Sequence, residues 1–334
     1  MTICAPYFFA ICADFCYNER GRFILQEGRQ VLGLKIASYP VYWATLAFAG
    51  FCRLLPESGA AVLGSWIGSG VWRFLPEHRK NRARVSLREY FGADPEETER
   101  ILRASLERYG PMGVEGLRIS LMAKDVEKYI GYRADPEAEK AFAGGKGGVL
   151  VTLHSGNWEL FGLGMAHYVS APFATLVRRQ QFDAWDKLAR RIRTVRVIYP
   201  DETRKLYRSV REGYFVNFLM DQGIHDVKDA VPAEFLGHTT GWTPAPATIA
   251  RFFGVPILPM FIHQEPGERH IIEVHAPIYV RKTEDKDADL IEATQAIVSI
   301  FEQHIRKYPE DWNWLYSKWR DVVPERKGSV SADP

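Results

Sequence analysis

The residues of this chain best suited to chemistry are a histidine and a glutamate in close succession. His154 follows the apolar run 148–153, and Glu159 comes five positions later. An imidazole can accept a proton from a hydroxyl, while a nearby carboxylate fixes its tautomer and stabilises its protonated form. The pattern therefore predicts that His154 acts as a general base and that Glu159 orients it. The alternative interpretation is a hydrogen-bonded structural histidine at the end of a strand.

The segments on either side of His154 predict how it is positioned. The run 148–153 is short, apolar and β-branched, which is typical of a buried parallel strand, and residues 158–168 suit a helix packed on the sheet. His154 would then lie at the carboxyl end of a strand, where α/β proteins bind ligands. In the intervening turn, Gly156 would let a substrate approach the backbone, and the amides after Asn157 would stabilise an oxyanion.

From about residue 140 onward, apolar strand-like runs alternate with helix-like segments. Strands are predicted at residues 148–153, 173–177, 195–199, 214–220, 257–262 and 271–274. Helices are predicted at residues 158–168, 183–193, 203–212, 243–254 and 287–307. This alternation favours an α/β/α layered, mostly parallel sheet, in which the segment 271–278 returns as an antiparallel neighbour.

Three further polar residues follow predicted strands and so belong to the same edge of the sheet. Arg178 follows the strand 173–177, and its guanidinium suits a phosphate or a developing negative charge. Arg179 would either assist Arg178 or face solvent. Asp221 follows the strand 214–220 and has two open interpretations: a catalytic group, or a structural cap or ion-pair partner.

The string HSGNWE at 154–159 resembles the H-x4-D/E signature of the lysophospholipid acyltransferase superfamily, in the form found in its bacterial lipid A secondary acyltransferases. Four more segments resemble this family in the family's order: the basic helix at 79–92, TLVRRQ at 175–180, FLMDQG at 218–223 with the block 233–261, and the tryptophan-rich segment 308–320. The resemblance covers roughly residues 40–320. Leu236 departs from it by replacing a usual phenylalanine, and Tyr316 by standing where many members have histidine.

The resemblance implies a fold, a reaction and a site. The fold would be the glycerolipid acyltransferase type of sheet behind an N-terminal membrane-associated helical segment. The reaction would move a fatty acyl chain from an acyl carrier protein thioester to a hydroxyl of a lipid A precursor. It would need no cofactor besides that co-substrate, and it would take place at the cytoplasmic face of a bacterial inner membrane. Catalysis would fall to His154 and Glu159, and substrate binding to Gly156, Asn157, Arg178, Arg179 and Asp221.

Three alternative functions remain open from the sequence. The same chemistry could act on a lysophospholipid, an aminolipid or a glycolipid, with acyl-CoA as a possible donor. The chain could also be a non-catalytic membrane lipid-binding protein. The intact His154–Glu159 pair argues against this interpretation. A serine hydrolase would use Ser155 as its nucleophile, but the G-x-S-x-G elbow of such enzymes is missing around it.

Composition argues against several other classes of protein. The 334 residues carry a net charge of +2, with local basic clusters at 79–88 and 178–196 and no nucleic-acid-binding module. The four cysteines lie within the first 52 residues without zinc spacing, and the nine histidines show no H-E-x-x-H pattern. We therefore expect no metal site, no disulfide framework and no nucleic acid partner.

The amino-terminal part predicts a membrane-associated segment. The sequence divides into a poorly fitting extension at 1–33, a membrane-associated or transmembrane helical segment at 34–75, and an acyltransferase domain at 76–325 with a helical lead-in at 76–135 and an α/β core at 140–325. Residues 36–52 are uncharged over about 17 positions, near the lower limit for a bilayer-spanning helix. The alternative is an interfacial or buried helical hairpin that continues to residue 74.

Overall fold

A group of helices precedes the sheet. The computed structural model describes residues 29–177, 195–222, 230–265, 269–316 and 318–321. The first helices are α1 (Arg29–Leu54), α2 (Glu57–Phe74), α3 (Glu77–Val85) with a following π-helical turn (Ser86–Phe91), α4 (Pro95–Glu107), α5 (Tyr109–Met122) and α6 (Val126–Tyr129). Helix α4 begins where the sequence provides a cap, because the Asp94 side chain accepts a hydrogen bond from the Glu97 amide at 2.9 Å.

Glycines allow helix α2 to pack closely against helices α4 and α5. A Cβ atom at Gly68 would lie 1.9 Å from the carbonyl oxygen of Glu107, the last residue of α4, and one at Gly64 would lie 2.8 Å from Cα of Pro111 in α5. A larger residue at either position would therefore force α2 away from these helices. The small-residue stretch at 64–70 serves close packing of α2 on the rest of the molecule.

The described residues contain no helix that is both long enough and apolar enough to cross a bilayer. Helix α1 includes the uncharged run 36–52, interrupted by Pro40, and α2 begins directly after Leu55 and Pro56. Whether this segment spans a membrane or forms an interfacial or buried hairpin stays a prediction.

Seven strands form one sheet. They are β1 (Ile130–Ala134), β2 (Gly148–Thr152), β3 (Phe173–Leu176), β4 (Arg196–Ile198), β5 (Phe215–Leu219), β8 (Ile257–Gln264) and β9 (His270–Val274), in the spatial order β1-β9-β8-β2-β5-β3-β4. All neighbours are parallel except β8 and β9, which are antiparallel. The prediction of a mostly parallel α/β sheet with an antiparallel return is confirmed.

The remaining elements surround this sheet. They are α7 (Pro136–Ala143), α8 (Phe161–Tyr168), α9 (Thr203–Arg211), α10 (Ala245–Phe253) and α11 (Lys286–Lys307), with 3₁₀ turns at Trp158–Leu160, Pro309–Asp311 and Lys318–Asp321. A separate antiparallel hairpin of β6 (Val231–Phe235) and β7 (His238–Trp242) packs on α11. The sequence did not predict β1, β6 or β7. The helix predicted at 183–193 lies outside the described residues.

Strand β2 is buried on both faces, and this fixes the position of its carboxyl end. Val149 and Val151 belong to one hydrophobic cluster, which includes Ile297 of α11. Leu150 points to a second cluster, which includes Leu163 of α8. Each such side chain contributes about 1.5–3 kcal/mol when fully buried, so the end of β2 provides a rigid base for the turn that follows.

Candidate active site

His154 and Asp221 meet because their strands are neighbours in register. In the parallel pair β2–β5, Thr152 lies opposite Leu219, so the residues two positions beyond each strand come to the same level. Nδ1 of His154 lies 2.7 Å from Oδ1 of Asp221, and the His154 backbone N–H donates to Oδ2 at 3.0 Å. The sheet therefore joins an imidazole and a carboxylate that are far apart in sequence.

The carboxylate of Asp221 is buried but well supplied with hydrogen-bond donors. Only 2 % of the residue is exposed, and Oδ2 also accepts a hydrogen bond from Nε1 of Trp312 at 2.9 Å. Burial raises the pKa of Asp221, but the charge of His154 and the hydrogen bonds from His154 and Trp312 outweigh it, and the net result is a lowered pKa. Asp221 is thus ionised at neutral pH.

An ionised Asp221 determines the tautomer of His154. A carboxylate can only accept hydrogen bonds, so Nδ1 must carry the proton and Nε2 keeps its lone pair. Nε2 lies 3.2 Å from the side-chain nitrogen of Gln222, and the ring meets Trp158 edge-on at 5.1 Å. The imidazole is 13 % exposed. This is the arrangement of a general base at the edge of the sheet.

The carboxylate on the imidazole is therefore not the predicted one. Glu159 lies half-buried in the 3₁₀ turn Trp158–Leu160, whereas Nδ1 of His154 faces Asp221. The prediction that Glu159 fixes the tautomer is wrong. The physical reason is the register of the sheet. Strand β5 brings Asp221 to the level of His154, and the Asp221 carboxylate occupies the Nδ1 side of the imidazole ring. A catalytic role for Glu159 of another kind stays a prediction.

Gly156 is required by packing rather than by the approach of a substrate. Its φ is +61°, and a Cβ atom there would lie 1.9 Å from the carbonyl oxygen of Ile262 on β8. Its N–H donates to the carbonyl oxygen of Asp311 at 3.0 Å. The expectation that Gly156 opens the backbone to a substrate is corrected, because β8 already occupies that space.

Asn157 joins the turn to helix α5. The residue is buried, and its side-chain amide donates to Oε2 of Glu115 at 2.6 Å. The same oxygen lies 3.0 Å from Nε2 of His270. These contacts make Asn157 part of the scaffold of the turn, and its role in substrate binding stays a prediction.

Ser155 is not placed as a nucleophile. The residue is 1 % exposed, and Oγ lies 3.1 Å from Nε2 of His304 on α11. Burial lowers the pKa of His304 well below its usual range, so this histidine is neutral. An acyl chain could not reach a hydroxyl enclosed in this way, which argues against the serine hydrolase alternative.

Two arginines that the sequence predicts for substrate binding, Arg178 and Arg179, lie outside the described residues. They follow β3, which borders β5 in the sheet.

Among the residues that the structure describes, no cluster of three or more His, Cys, Asp or Glu side chains could hold a metal ion.

Sequence reasoning missed two residues of the site. Gln222 follows Asp221 in the block FLMDQG, and this adjacency was the available signal. Trp312 belongs to the tryptophan-rich segment 308–320, and tryptophans are more often packing or interfacial residues than catalytic ones. A residue type alone cannot show that an indole nitrogen will face a particular carboxylate.

Comparisons with known proteins agree on the class of enzyme. The sequence profile of the bacterial lipid A biosynthesis acyltransferase family matches residues 32–321. The phosphatidylinositol mannoside acyltransferase of Mycobacterium tuberculosis (strain CDC 1551 / Oshkosh) is 27 % identical over 303 residues, which are 86 % of this chain and 92 % of that protein. Its counterpart in Mycolicibacterium smegmatis is 26 % identical over 298 residues, 83 % of this chain and 91 % of that protein.

A solved structure of 1-acyl-sn-glycerophosphate acyltransferase from Thermotoga maritima covers 68 % of this chain and 95 % of its own, at 12 % identity and a TM-score of 0.34. A likeness of that size supports no argument. The family match, by contrast, includes the whole seven-stranded sheet and both members of the His154–Asp221 pair. The chain therefore belongs to the bacterial lipid A biosynthesis acyltransferase family and is an O-acyltransferase.

Proposed function

We propose that this enzyme transfers a fatty acyl chain from a thioester donor to a hydroxyl of a membrane lipid, with His154 as the general base and Asp221 as its ionised partner. The observation that carries the proposal is the 2.7 Å contact between Nδ1 of His154 and the buried carboxylate of Asp221. This contact leaves Nε2 as the proton acceptor at the edge of the sheet.

The reaction follows from that geometry. Nε2 of His154 takes the proton of the acceptor hydroxyl as its oxygen attacks the thioester carbonyl. The tetrahedral intermediate then collapses: the C–S bond breaks, an ester C–O bond remains, and the imidazolium returns its proton to the leaving thiolate. Asp221 stabilises the imidazolium while it exists. A thioester is already activated, so an acyl-enzyme is unnecessary.

The remaining site residues have proposed roles that come from the family resemblance. Arg178 would bind a phosphate of the substrate or stabilise the charge of the intermediate, and Arg179 would assist it. Glu159 would contribute to the site in a way other than holding Nδ1 of His154. Backbone amides at the start of the turn Trp158–Leu160 would stabilise the oxyanion.

The acceptor that the family resemblance favours is a lipid A precursor. The new acyl chain would be attached to the hydroxyl of an acyl chain that the precursor already carries, and the donor would be an acyl carrier protein thioester. A second acceptor class has its own support, because both mycobacterial relatives are named for phosphatidylinositol mannoside. A sugar hydroxyl of a glycolipid, acylated from acyl carrier protein or acyl-CoA, is therefore the second candidate.

An exposed apolar surface supports work at a membrane. Six of the ten large apolar side chains that the described residues expose lie on α1 and α2: Trp43, Phe51, Leu54, Val62, Trp66 and Phe74. Arg73 and Arg88 are exposed nearby in sequence. Aromatic and apolar groups enter the bilayer interface, and each basic residue near an anionic surface adds about 1 kcal/mol of attraction. We propose that α1 and α2 rest on the cytoplasmic face of the inner membrane.

Lipid analysis of cells tests the proposed reaction. Lipids are extracted from three strains: one without the gene, one with the wild-type gene and one with the His154→Ala variant. The masses of the lipids in each fraction are measured by mass spectrometry. We expect one fraction to gain one acyl chain with the wild-type gene alone. A gain in lipid A supports the first acceptor, and a gain in another glycolipid supports the second. If His154→Ala restored the same lipid as wild type, the general-base proposal would be overturned.

A further inference from the structure

The chain that follows helix α11 lies directly against the catalytic turn. Residues 311–313, which we call the tail strand, run antiparallel to residues 154–156, with a bridge between Ser155 and Trp312. The Asn313 N–H donates to the His154 carbonyl oxygen at 3.1 Å. The Asp311 carbonyl oxygen accepts the hydrogen bond of Gly156 on the other side. The tail strand thus fixes the backbone on both sides of the Ser155 position.

The side chain of Trp312 carries this contact to the catalytic pair. Its indole is fully buried and packs edge-on against Phe235 at 5.8 Å and Trp314 at 4.7 Å. A buried indole N–H needs an acceptor, and here the acceptor is Oδ2 of Asp221 at 2.9 Å. Packing of a large rigid ring therefore determines where one oxygen of the carboxylate lies.

We propose that Trp312 is a positioning residue for acyl transfer, whose indole N–H holds Asp221 in the orientation that presents Oδ1 to Nδ1 of His154. This inference rests on the proposed general-base role of His154. The tail strand would then contribute to catalysis by orienting Asp221, in addition to packing against the catalytic turn.

Removing the indole N–H has two expected consequences. The Asp221 carboxylate keeps the backbone N–H of His154 on Oδ2 but loses the donor that opposes its rotation. Its negative charge is also less dispersed, so the coupled His154–Asp221 pair binds its proton more tightly. The acidic limb of the pH–rate profile then moves to higher pH.

Other titratable groups around the pair come from three elements. His304 of α11 bonds Ser155 and is neutral because its pKa is lowered by burial. Asp311 at the start of the tail strand pairs with Arg108 at 3.2 Å, and burial raises the pKa of Asp311. Glu159 lies in the 3₁₀ turn beyond His154. The Trp312 side chain makes none of the contacts named for these groups, so a shift of the limb reports on its hydrogen bond to Asp221.

The test is Trp312→Phe in the full chain, assayed for transfer from a thioester donor to total lipid of a strain without the gene. We expect kcat to fall roughly 10- to 100-fold, KM for the donor to stay near the wild-type value, and the acidic limb to rise by up to about one pH unit. β-(3-Benzothienyl)alanine at the same position replaces the N–H by sulfur at nearly constant shape. It gives the same test if the phenylalanine variant does not fold.

Trp314→Phe is the matched control. Trp314 is 1 % exposed, lies two residues along the same tail, and donates from Nε1 to the Pro309 carbonyl oxygen at 2.7 Å. Both variants lose a buried indole hydrogen bond, but only one of these bonds ends on Asp221. A wild-type kcat and limb in Trp312→Phe would overturn the inference, as would an equal shift in Trp314→Phe. If instead His154→Ala kept full activity, the proposed function itself would fall.

Discussion

The imidazole of His154 has a defined environment at each nitrogen. Nδ1 faces the ionised carboxylate of Asp221 at 2.7 Å, and Nε2 faces the Gln222 amide at 3.2 Å. A general base needs a fixed tautomer, an accessible lone pair and compensation for the charge it gains. Asp221 provides the first and the third of these, and the end of β2 places Nε2 at the edge of the sheet.

The two acidic residues near His154 are distinguished by a pH profile rather than by a rate. We predict that Glu159→Gln leaves the acidic limb of kcat/KM at its wild-type position, because Glu159 does not supply the carboxylate on Nδ1. The measurement is the initial rate of acyl transfer between pH 4.5 and pH 8.5 in both proteins. A shift of the limb in Glu159→Gln would show that this residue takes part in the titration of the base.

The sequence predicted His154 and placed Asp221 at the same edge of the sheet, but it did not predict that the two side chains pair. The apolar run, the polar turn and the H-x4-E spacing are local patterns and place the histidine at a strand end. The contact with Asp221 spans 67 positions and depends on the order of β2 and β5 in the sheet, which no local pattern encodes. Glu159 was chosen for its closeness in sequence, whereas Nδ1 of His154 faces Asp221.

At the scale of elements, helix α2 depends on its glycines. We predict that Gly68→Ala lowers the free energy of unfolding by about 1–3 kcal/mol, because the added Cβ collides with the Glu107 carbonyl at the end of α4 and separates α2 from α4. Gly70→Ala on the same helix meets no atom within 4 Å and should stabilise it by up to about 1 kcal/mol. Urea unfolding of both variants checks this, and equal effects would contradict the proposed packing.

The region between α11 and β8 makes stability depend on pH. Burial lowers the pKa values of His263, His275 and His304, so the folded chain binds fewer protons than the unfolded chain below about pH 6.5. Stability is therefore full above that pH and falls as the pH drops. We predict a smaller free energy of unfolding at pH 5 than at pH 7. His304→Gln should reduce the difference by up to about 1.4 kcal/mol per pH unit, and an unchanged difference would contradict this explanation.

Predictability differed among the elements for a physical reason. Strand β2 is buried on both faces of a parallel sheet, and β5 is apolar except for Asn217, so both stand out as apolar runs in the sequence. The hairpin β6–β7 and the edge strand β1 are short and partly polar, with sequences VPAEF, HTTGW and IGYRA. Their strand conformation comes from neighbours in space, β9 for β1 and α11 for the hairpin, which a local pattern does not reveal.

At the scale of the whole molecule, α1 and α2 expose large apolar side chains to the outside. We predict that Trp66→Ser, at a residue 75 % exposed on α2, weakens binding to phosphatidylglycerol-containing vesicles about tenfold. Ile291→Ser on α11 is the control, since that side chain is 42 % exposed but lies on another element. Sedimentation with vesicles measures both, and equal binding of wild type and Trp66→Ser would contradict the proposed membrane surface.

The most direct test of the account is the rate of acyl transfer by purified Asp221→Asn. A radiolabelled acyl thioester is the donor, and total lipid from a strain without the gene supplies the acceptor. The amide cannot act as the anionic partner of His154, so we predict a fall of about 10²–10⁴-fold in kcat with a folded protein, while the exposed control Asp287→Asn keeps the wild-type rate. A wild-type rate in Asp221→Asn would contradict the claim that this carboxylate prepares His154 as the base.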